Sequence, residues 1–243
     1  MRYLPFLLVP ALALAAPVPK PTETQKIEAK FGKVVDPKGD SKFALNGDKL
    51  TITLPANETR QFGHTSDPDE PENQAKFKKT NTCPRVEFEA TGDFVLTVRM
   101  NLKLDAKAKE VSGRRDLAYV AAGVQVASGE NDWFAFGPVQ MRGIVTSSEY
   151  TFEMPGAFSE GVGTTVGDVT PVPDEVWIQL MRVKHTLNFS TSTDGKSFAV
   201  KFTSDKCPKD DTVRLSLVAQ HSSDTAHAVT FDEFKLEPYD KKK

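Results

Sequence analysis

Cysteine, tryptophan and histidine are scarce in this chain of 243 residues, at two, two and four copies. Each shortage excludes a class of chemistry. Cys83 and Cys207 stand far apart with no clustered histidine, so they do not make a zinc site, which needs a compact set of sulfur and nitrogen ligands. His64, His185, His221 and His227 form no His-x-x-x-His pair and accompany no nucleophilic serine motif. No phosphate-cradling glycine loop occurs: Gly161 and Gly163 lack the strand-to-helix context such a loop needs. Charge of one sign is missing too. The formal net charge is -2 with acids and bases nearly balanced, which argues against a nucleic-acid binder and its basic patch. The one basic run, Lys241-Lys242-Lys243, closes the chain and reads as a solvated tail. Beyond the first fifteen residues no apolar run approaches the ~20 residues of a membrane span.

What is present begins with a segment that reads as an address rather than as structure. Arg2 is followed by an apolar stretch from Leu4 to Leu14 and by Ala13-Leu14-Ala15, a small-x-small cleavage site. Residues 1–15 are therefore expected to be a signal peptide, and the protein to be secreted, periplasmic or held in the cell envelope. Residues 16–32 open with a polar, proline-rich run and are expected to be a flexible leader. Residues 33–238 are expected to form one domain and 239–243 a charged tail. Export would place Cys83 and Cys207 where disulfides form. Both precede proline, which favours extended backbone. A Cys83–Cys207 bridge and two separate thiols both remain open on the sequence.

Short β-rich runs separated by turn residues dominate the rest. Leu50 to Leu54 and Phe94 to Met100 alternate apolar and polar side chains, the mark of a half-buried strand. Tyr119 to Val126 is more continuously apolar. Further runs lie at Trp133–Phe136, Ile144–Thr146, Val176–Val183, Leu187–Ser192, Ala199–Phe202, Val213–Ala219 and Val229–Leu236. Asn46-Gly47-Asp48 and Asp194-Gly195-Lys196 carry hairpin chemistry. No segment keeps a helical period over three turns, and Lys103 to Val111 has too few apolar positions for a helical stripe. About a dozen short strands with such turns predict an all-β sandwich of two antiparallel sheets. Asn57–Thr80, Leu104–Asp116 and Pro155–Asp174 read as long loops.

Candidate binding residues follow from that reading. Sugar binders place aromatic faces beside amides and charges in a concave site, and Trp133 and Trp177 are the only tryptophans. Trp177 shares a strand face with Gln179 and Met181, the more polar side. Gln125, Arg142, Arg182 and Gln220 are strand polars expected to line the same concave face. The competing reading is core or rim packing for the tryptophans and a solvated sheet face for the polars. Asp36, Asp40 and Asp232 lie near the two ends of the domain and could supply oxygens to a structural calcium, against the plainer role of turn formation. No other cofactor is expected, and nothing calls for a partner subunit, so a monomer is expected.

Several motifs together resemble a bacterial family of unknown function in the concanavalin A-like lectin/glucanase superfamily, labelled regulation-of-enolase-like. They are Asp36-Pro37-Lys38-Gly39-Asp40 with Gly47-Asp48-Lys49-Leu50; Arg85 with Gly92-Asp93-Phe94; Ala122-Gly123-Val124-Gln125 with Asn131-Asp132-Trp133-Phe134; Trp177 to Arg182; Ser192 to Phe198; and Phe231-Asp232-Glu233-Phe234. The resemblance spans about Lys33 to Glu237. It implies a concanavalin A-like jelly-roll β-sandwich and a secreted or surface role, and it implies no activity. Glucanases of that superfamily carry Glu-x-Asp-x-x-Glu on one strand. Here the nearest match, Glu130-Asn131-Asp132-Trp133-Phe134-Ala135, has Ala135 in place of the third acid and lacks half of the acid/base pair. Glu149 and Glu153 have the spacing of an ordinary polar strand face. The expectation is thus a non-catalytic, lectin-like module for carbohydrate or cell-surface glycan. A glycan hydrolase of the same fold and a protein-interaction scaffold are the alternatives.

Overall fold

The structure is a computed structural model. It describes residues 20–60, 62–64, 79–105, 107–109, 111, 118–127, 133–142, 149–154, 164–165, 174–205 and 209–240. The expected signal peptide, the expected strand at Ile144–Thr146, Cys207 and the three terminal lysines lie outside the described residues.

The expected leader is not wholly flexible. Residues Glu23–Phe31 form a helix, α1, begun by a capping box in which the Thr22 hydroxyl accepts from the Gln25 N–H and the Gln25 amide accepts from the Thr22 N–H. A cap of this kind contributes about 1 kcal/mol. Ile27 and Phe31, one turn apart, are fully buried in the domain core. The Glu23 carboxylate accepts the Leu45 N–H at 2.6 Å, which holds its carboxyl below the usual range. Two buried apolar positions in nine residues are too short a signal for a helical period, and tertiary burial supplies the stability that propensity lacks.

Eighteen strands are described: β1 (Lys33–Val35), β2 (Lys42–Asn46), β3 (Lys49–Leu54), β4 (Glu58–Arg60), β5 (Phe62–His64), β6 (Lys79–Asn81), β7 (Arg85–Thr91), β8 (Phe94–Leu102), β9 (Ala118–Ala127), β10 (Trp133–Phe136), β11 (Pro138–Arg142), β12 (Glu149–Met154), β13 (Thr164–Thr165), β14 (Glu175–Val183), β15 (Thr186–Ser192), β16 (Ala199–Ser204), β17 (Thr212–Ser223) and β18 (His227–Pro238). One sheet of nine strands runs β1-β7-β17-β9-β11-β12-β13, with β10 also on β9 and β4 also on β17. The other, of seven, runs β16-β15-β14-β8-β18-β3-β2. The pairings within both are antiparallel, so the molecule is the expected two-sheet jelly-roll β-sandwich. β5 lies inside Asn57–Thr80 and pairs separately with β6, which crosses the end of that stretch, and β4 opens it, so it is not wholly loop.

Period-two alternation builds the core. On β8, Phe94, Leu96, Val98, Met100 and Leu102 are buried while the residues between them are half-exposed. Leu50, Ile52 and Leu54 on β3 and Val176, Ile178 and Leu180 on β14 complete the inner face of that sheet. Val120, Val124 and Val126 on β9 and Leu215 and Leu217 on β17 meet them from the other sheet. Burying each such side chain contributes about 1.5–3 kcal/mol. The two expected hairpins form, with Gly47 (φ 61°) between β2 and β3 and Gly195 (φ 69°) between β15 and β16. Glycine adopts this left-handed backbone without the strain a side chain adds.

Candidate functional site

Along β17, Val213, Leu215, Leu217 and Ala219 enter the core, so Arg214, Ser216, Val218, Gln220 and Ser222 stand on the opposite face of the sheet. Along β9 the core residues are Val120, Ala122, Val124 and Val126, which leaves Ala121, Gly123, Gln125 and Ala127 on that same outer face. β7 puts Val86 and Ala90 into the core and turns Arg85, Glu87 and Glu89 outward. Register then fixes the rows. Ser216 pairs with Glu87 on one side and Gln125 on the other; Val218 pairs with Arg85 and Gly123; Arg214 pairs with Glu89 and Ala127; Gln220 pairs with Ala121. With neighbouring strands about 4.8 Å apart, the Glu87–Ser216–Gln125 row spans about 10 Å.

The outer face of an antiparallel sheet is commonly solvated. This one is recessed: Ser216 is 2% exposed, Gln125 4% and Gln220 9%. Among the described residues, none of these three side chains has a hydrogen-bond partner. Among the described residues, the fully enclosed atoms without a partner belong to Arg60 and His221, so these three side chains are not sealed. The floor beneath them is small, made by Ala121, Gly123 and Ala127. At the β7 edge the Arg85 guanidinium donates to Glu87 Oε1 at 2.8 Å and to the Cys83 carbonyl at 3.2 Å. Both side chains are about one-seventh exposed, at 15% and 14%. The result is a recessed polar row in which Gln125, Ser216 and Gln220 have no partner among the described residues and Arg85 is paired with Glu87.

The expected site residues divide between the two sheets. Gln125 and Gln220 come together in the recess. Trp133 continues one row, because its backbone pairs with Ala127. Arg142 pairs with Ala118, on a rung of the core-directed set of β9; the side chains of Trp133 and Arg142 lie outside the described set. Trp177 and Arg182 belong to the other sheet and do not share a concave face with Gln125. Arg182 is turned inward at the end of β14, 3% exposed, and donates to the carbonyls of Lys184, Asp210 and Asp211. It staples the segment leading into β17. Trp177 packs beneath Arg99, with Gly195 against its ring and its Nε1–H on Glu233 at 3.1 Å.

The three aspartates of the calcium expectation each take part in other hydrogen bonds. Asp36 accepts from the Ser41 and Lys38 N–H groups in its turn, Asp40 pairs with Arg60, and Asp232 takes both prongs of Arg99. Each carboxylate has its own partner, and among the described residues no three His, Cys, Asp or Glu gather as a metal site. Cys83 is fully buried, and its expected partner Cys207 lies outside the described residues. Glu130 and Asp132 lie outside them too.

Arg85, Glu87 and Ser216 belong to the recess and were not singled out as binding residues by the sequence. The signal existed: Arg85-Val86-Glu87-Phe88-Glu89-Ala90 alternates charged and apolar residues, which predicts a strand with one charged face.

No family model matches the chain, and no curated protein matches it. Solved structures do. A functionally unknown protein from Saccharomyces cerevisiae aligns over 82% of this chain and 93% of its own, at 15% identity and a TM-score of 0.61. An alginate lyase from Klebsiella pneumoniae aligns over 83% and 85%, at 9% identity and a TM-score of 0.46. The CBM2 module of the evolved Dit of Lactobacillus casei BL23 phage J-1 aligns over 82% and 81%, at 8% identity and a TM-score of 0.45. At 15% identity the likeness to the first of these is one of fold alone.

Proposed function

We propose that the chain is an exported, non-catalytic module that binds a neutral carbohydrate along the outer face of the nine-stranded sheet. One observation carries this reading: Gln125, Ser216 and Gln220 are more than nine-tenths buried or close to it, yet their polar groups have no partner among the described residues. Such groups bond to water in the free chain, and a ligand that supplies hydroxyls replaces that water with direct hydrogen bonds, each a net gain of about 0.5–1.5 kcal/mol. Amides and a hydroxyl match sugar hydroxyls, which both donate and accept. The nearby charges neutralise each other through Arg85 and Glu87, which favours an uncharged ligand. Ser216 and Gln220 are four residues apart on β17, about 13 Å, room for a short run of sugar units.

Catalysis is not part of this reading. Hydrolysis needs an acid and a second carboxylate across the bond, about 5–10 Å apart, and the inner carboxylate of this face, Glu87, is engaged by Arg85. Export rests on the residue pattern of the first fifteen positions.

The test is a polysaccharide-binding screen of the chain from residue 20 onward, with and without calcium, followed by titration of Gln125→Ala and Ser216→Leu. Binding to an uncharged glycan, weakened about tenfold or more by either change and indifferent to calcium, is the expected result. Release of reducing ends that stops in Glu87→Gln would establish a hydrolase instead. No binding to any polysaccharide class would favour a protein scaffold.

A further inference from the structure

At the end of the sandwich where β17 turns into β18, His221 and His227 face each other in the interior. His221 is 0% exposed and His227 4%. Their Nδ1 atoms are 3.5 Å apart, and the rings meet edge to face at 80°. His227 Nε2 accepts the Asp105 N–H at 3.3 Å. That bond leaves Nε2 without a proton, so the His227 proton sits on Nδ1, which faces both His221 Nδ1 and the Thr225 backbone. The His221 proton then occupies Nε2, an atom fully enclosed and without a partner. Both rings are thus neutral, and each has one nitrogen committed as an acceptor.

The pair touches the stretch that follows β8. Leu104 is buried in the core and Ala108 packs against it. Asp105 is tied to His227. Lys109 and Asp224 exchange two bonds at 2.8 Å, the Lys109 N–H to Asp224 Oδ1 and the Asp224 N–H to the Lys109 carbonyl. The charged groups facing the rings are Arg60 on β4, Asp40 beside it, Asp105, and Asp224 in the turn. Arg60, 1% exposed, is opposite His221 in register and is neutralised by Asp40 and Glu58.

We propose that the His221–His227 pair is an acid-operated latch that releases the stretch carrying Asp105 and Lys109 from the β17–β18 hairpin. A proton added to His227 Nε2 removes the acceptor of the Asp105 N–H. A proton added to His221 Nδ1 sets two N–H groups against each other. Either one places a cation in the interior beside Arg60, a cost that opening to water removes. Burial, then His227 and Arg60, hold His221 down at about 3, with Asp40 opposing. Burial also lowers His227, opposed by the Thr225 backbone, Asp105 and Asp224. An opened histidine titrates near 6.5, so the open population rises about tenfold for each pH unit below that value.

Native-state hydrogen exchange between pH 7 and pH 4.5, corrected for intrinsic rates, reads this directly. Protection of the Asp105, Lys109 and Asp224 amides is expected to fall about a hundredfold and to stay well below that of the β8 and β14 amides at every pH, because these exchange only through global unfolding. His227→Gln, which keeps an acceptor but no titration, is expected to reduce the loss. Unchanged protection, or protection equal to that of the β8 amides across the pH range, overturns the latch. If the variant does not fold, imidazole nitrogen shifts of the wild-type chain decide: both histidines neutral in the assigned tautomers down to pH 5 support it, and ordinary titration near 6.5 overturns it.

Discussion

The Arg99 guanidinium lies 5.3 Å from the centre of the Trp177 ring and is held there by a two-pronged bond to Asp232, at 2.6 and 2.8 Å. The three residues are successive rungs of one row across β14, β8 and β18. Beyond Asp232 the register shifts, and Glu233 takes a φ of 50°. That bulge presents the Glu233 carboxylate to both Trp177 Nε1 and Arg99. Asp232 raises the already high pKa of Arg99, so the cation over the ring is permanent.

Arg99→Lys removes the planar fork that makes both bonds and the stacking at once. The pair is partly exposed, at 27% and 12%, so the expected loss is modest, about 1 kcal/mol. Urea unfolding gives the magnitude, and Trp177 emission is expected to shift to the red. An unchanged midpoint would mean that the row contributes nothing to stability.

Gly137 joins β10 to β11 where both strands pair with β9. A Cβ there would fall 1.8 Å from the Ala122 carbonyl oxygen and 2.5 Å from the Gly123 Cα, both backbone atoms that cannot swing aside. Gly137→Ala is therefore expected to cost about 3 kcal/mol or more, in the range of severe overpacking. Gly39→Ala is the control, since only its φ of 73° opposes a side chain and no atom lies within 4 Å; its expected cost is about 1 kcal/mol. Equal thermal midpoints for the two variants would contradict the close approach.

The buried histidines also set the global acid response. With His221 neutral in the fold down to about 3, only the unfolded chain binds its proton between pH 6.5 and that value. The stability it confers is complete above pH 6.5 and declines as the pH falls, by about 2 kcal/mol at pH 5. Asp194 acts later. The Ser197 and Lys196 N–H groups and the Ser192 hydroxyl hold its carboxyl at about 2, so its contribution is lost only below the ordinary range near 3.8. Denaturant titrations at pH 7 and pH 5 measure the first window, and His221→Phe is expected to flatten it. Identical stabilities at the two pH values would contradict a neutral, buried pair.

Legibility in the sequence followed the physics of alternation. Phe94 to Met100 announces β8 because each second side chain is apolar, and Gly47 and Gly195 mark their hairpins because the turns demand positive φ. α1 escaped because Ile27 and Phe31 are a single pair, meaningful only once the core is there to receive them. The candidate site was half visible. Gln125 and Gln220 are polar residues inside apolar strands, which drew attention to them. Ser216 is unremarkable in a β run, and it matters because the register sets it between Glu87 and Gln125. Trp177 drew attention as one of two tryptophans and Arg182 as a strand polar, yet both have local structural partners.

The order of residues determined by itself that this chain is all β: strand periodicity and turn chemistry are local, and each is written within a few neighbouring positions. Only the folded arrangement decided which polar side chains meet. Residues 85, 125 and 216 are brought onto one face by pairings between strands far apart in the chain, and a shift of one residue in either ladder would turn them to the opposite face of the sheet. The same holds for His221 and His227, whose neutrality comes from enclosure and from a hydrogen bond to Asp105, more than a hundred residues earlier.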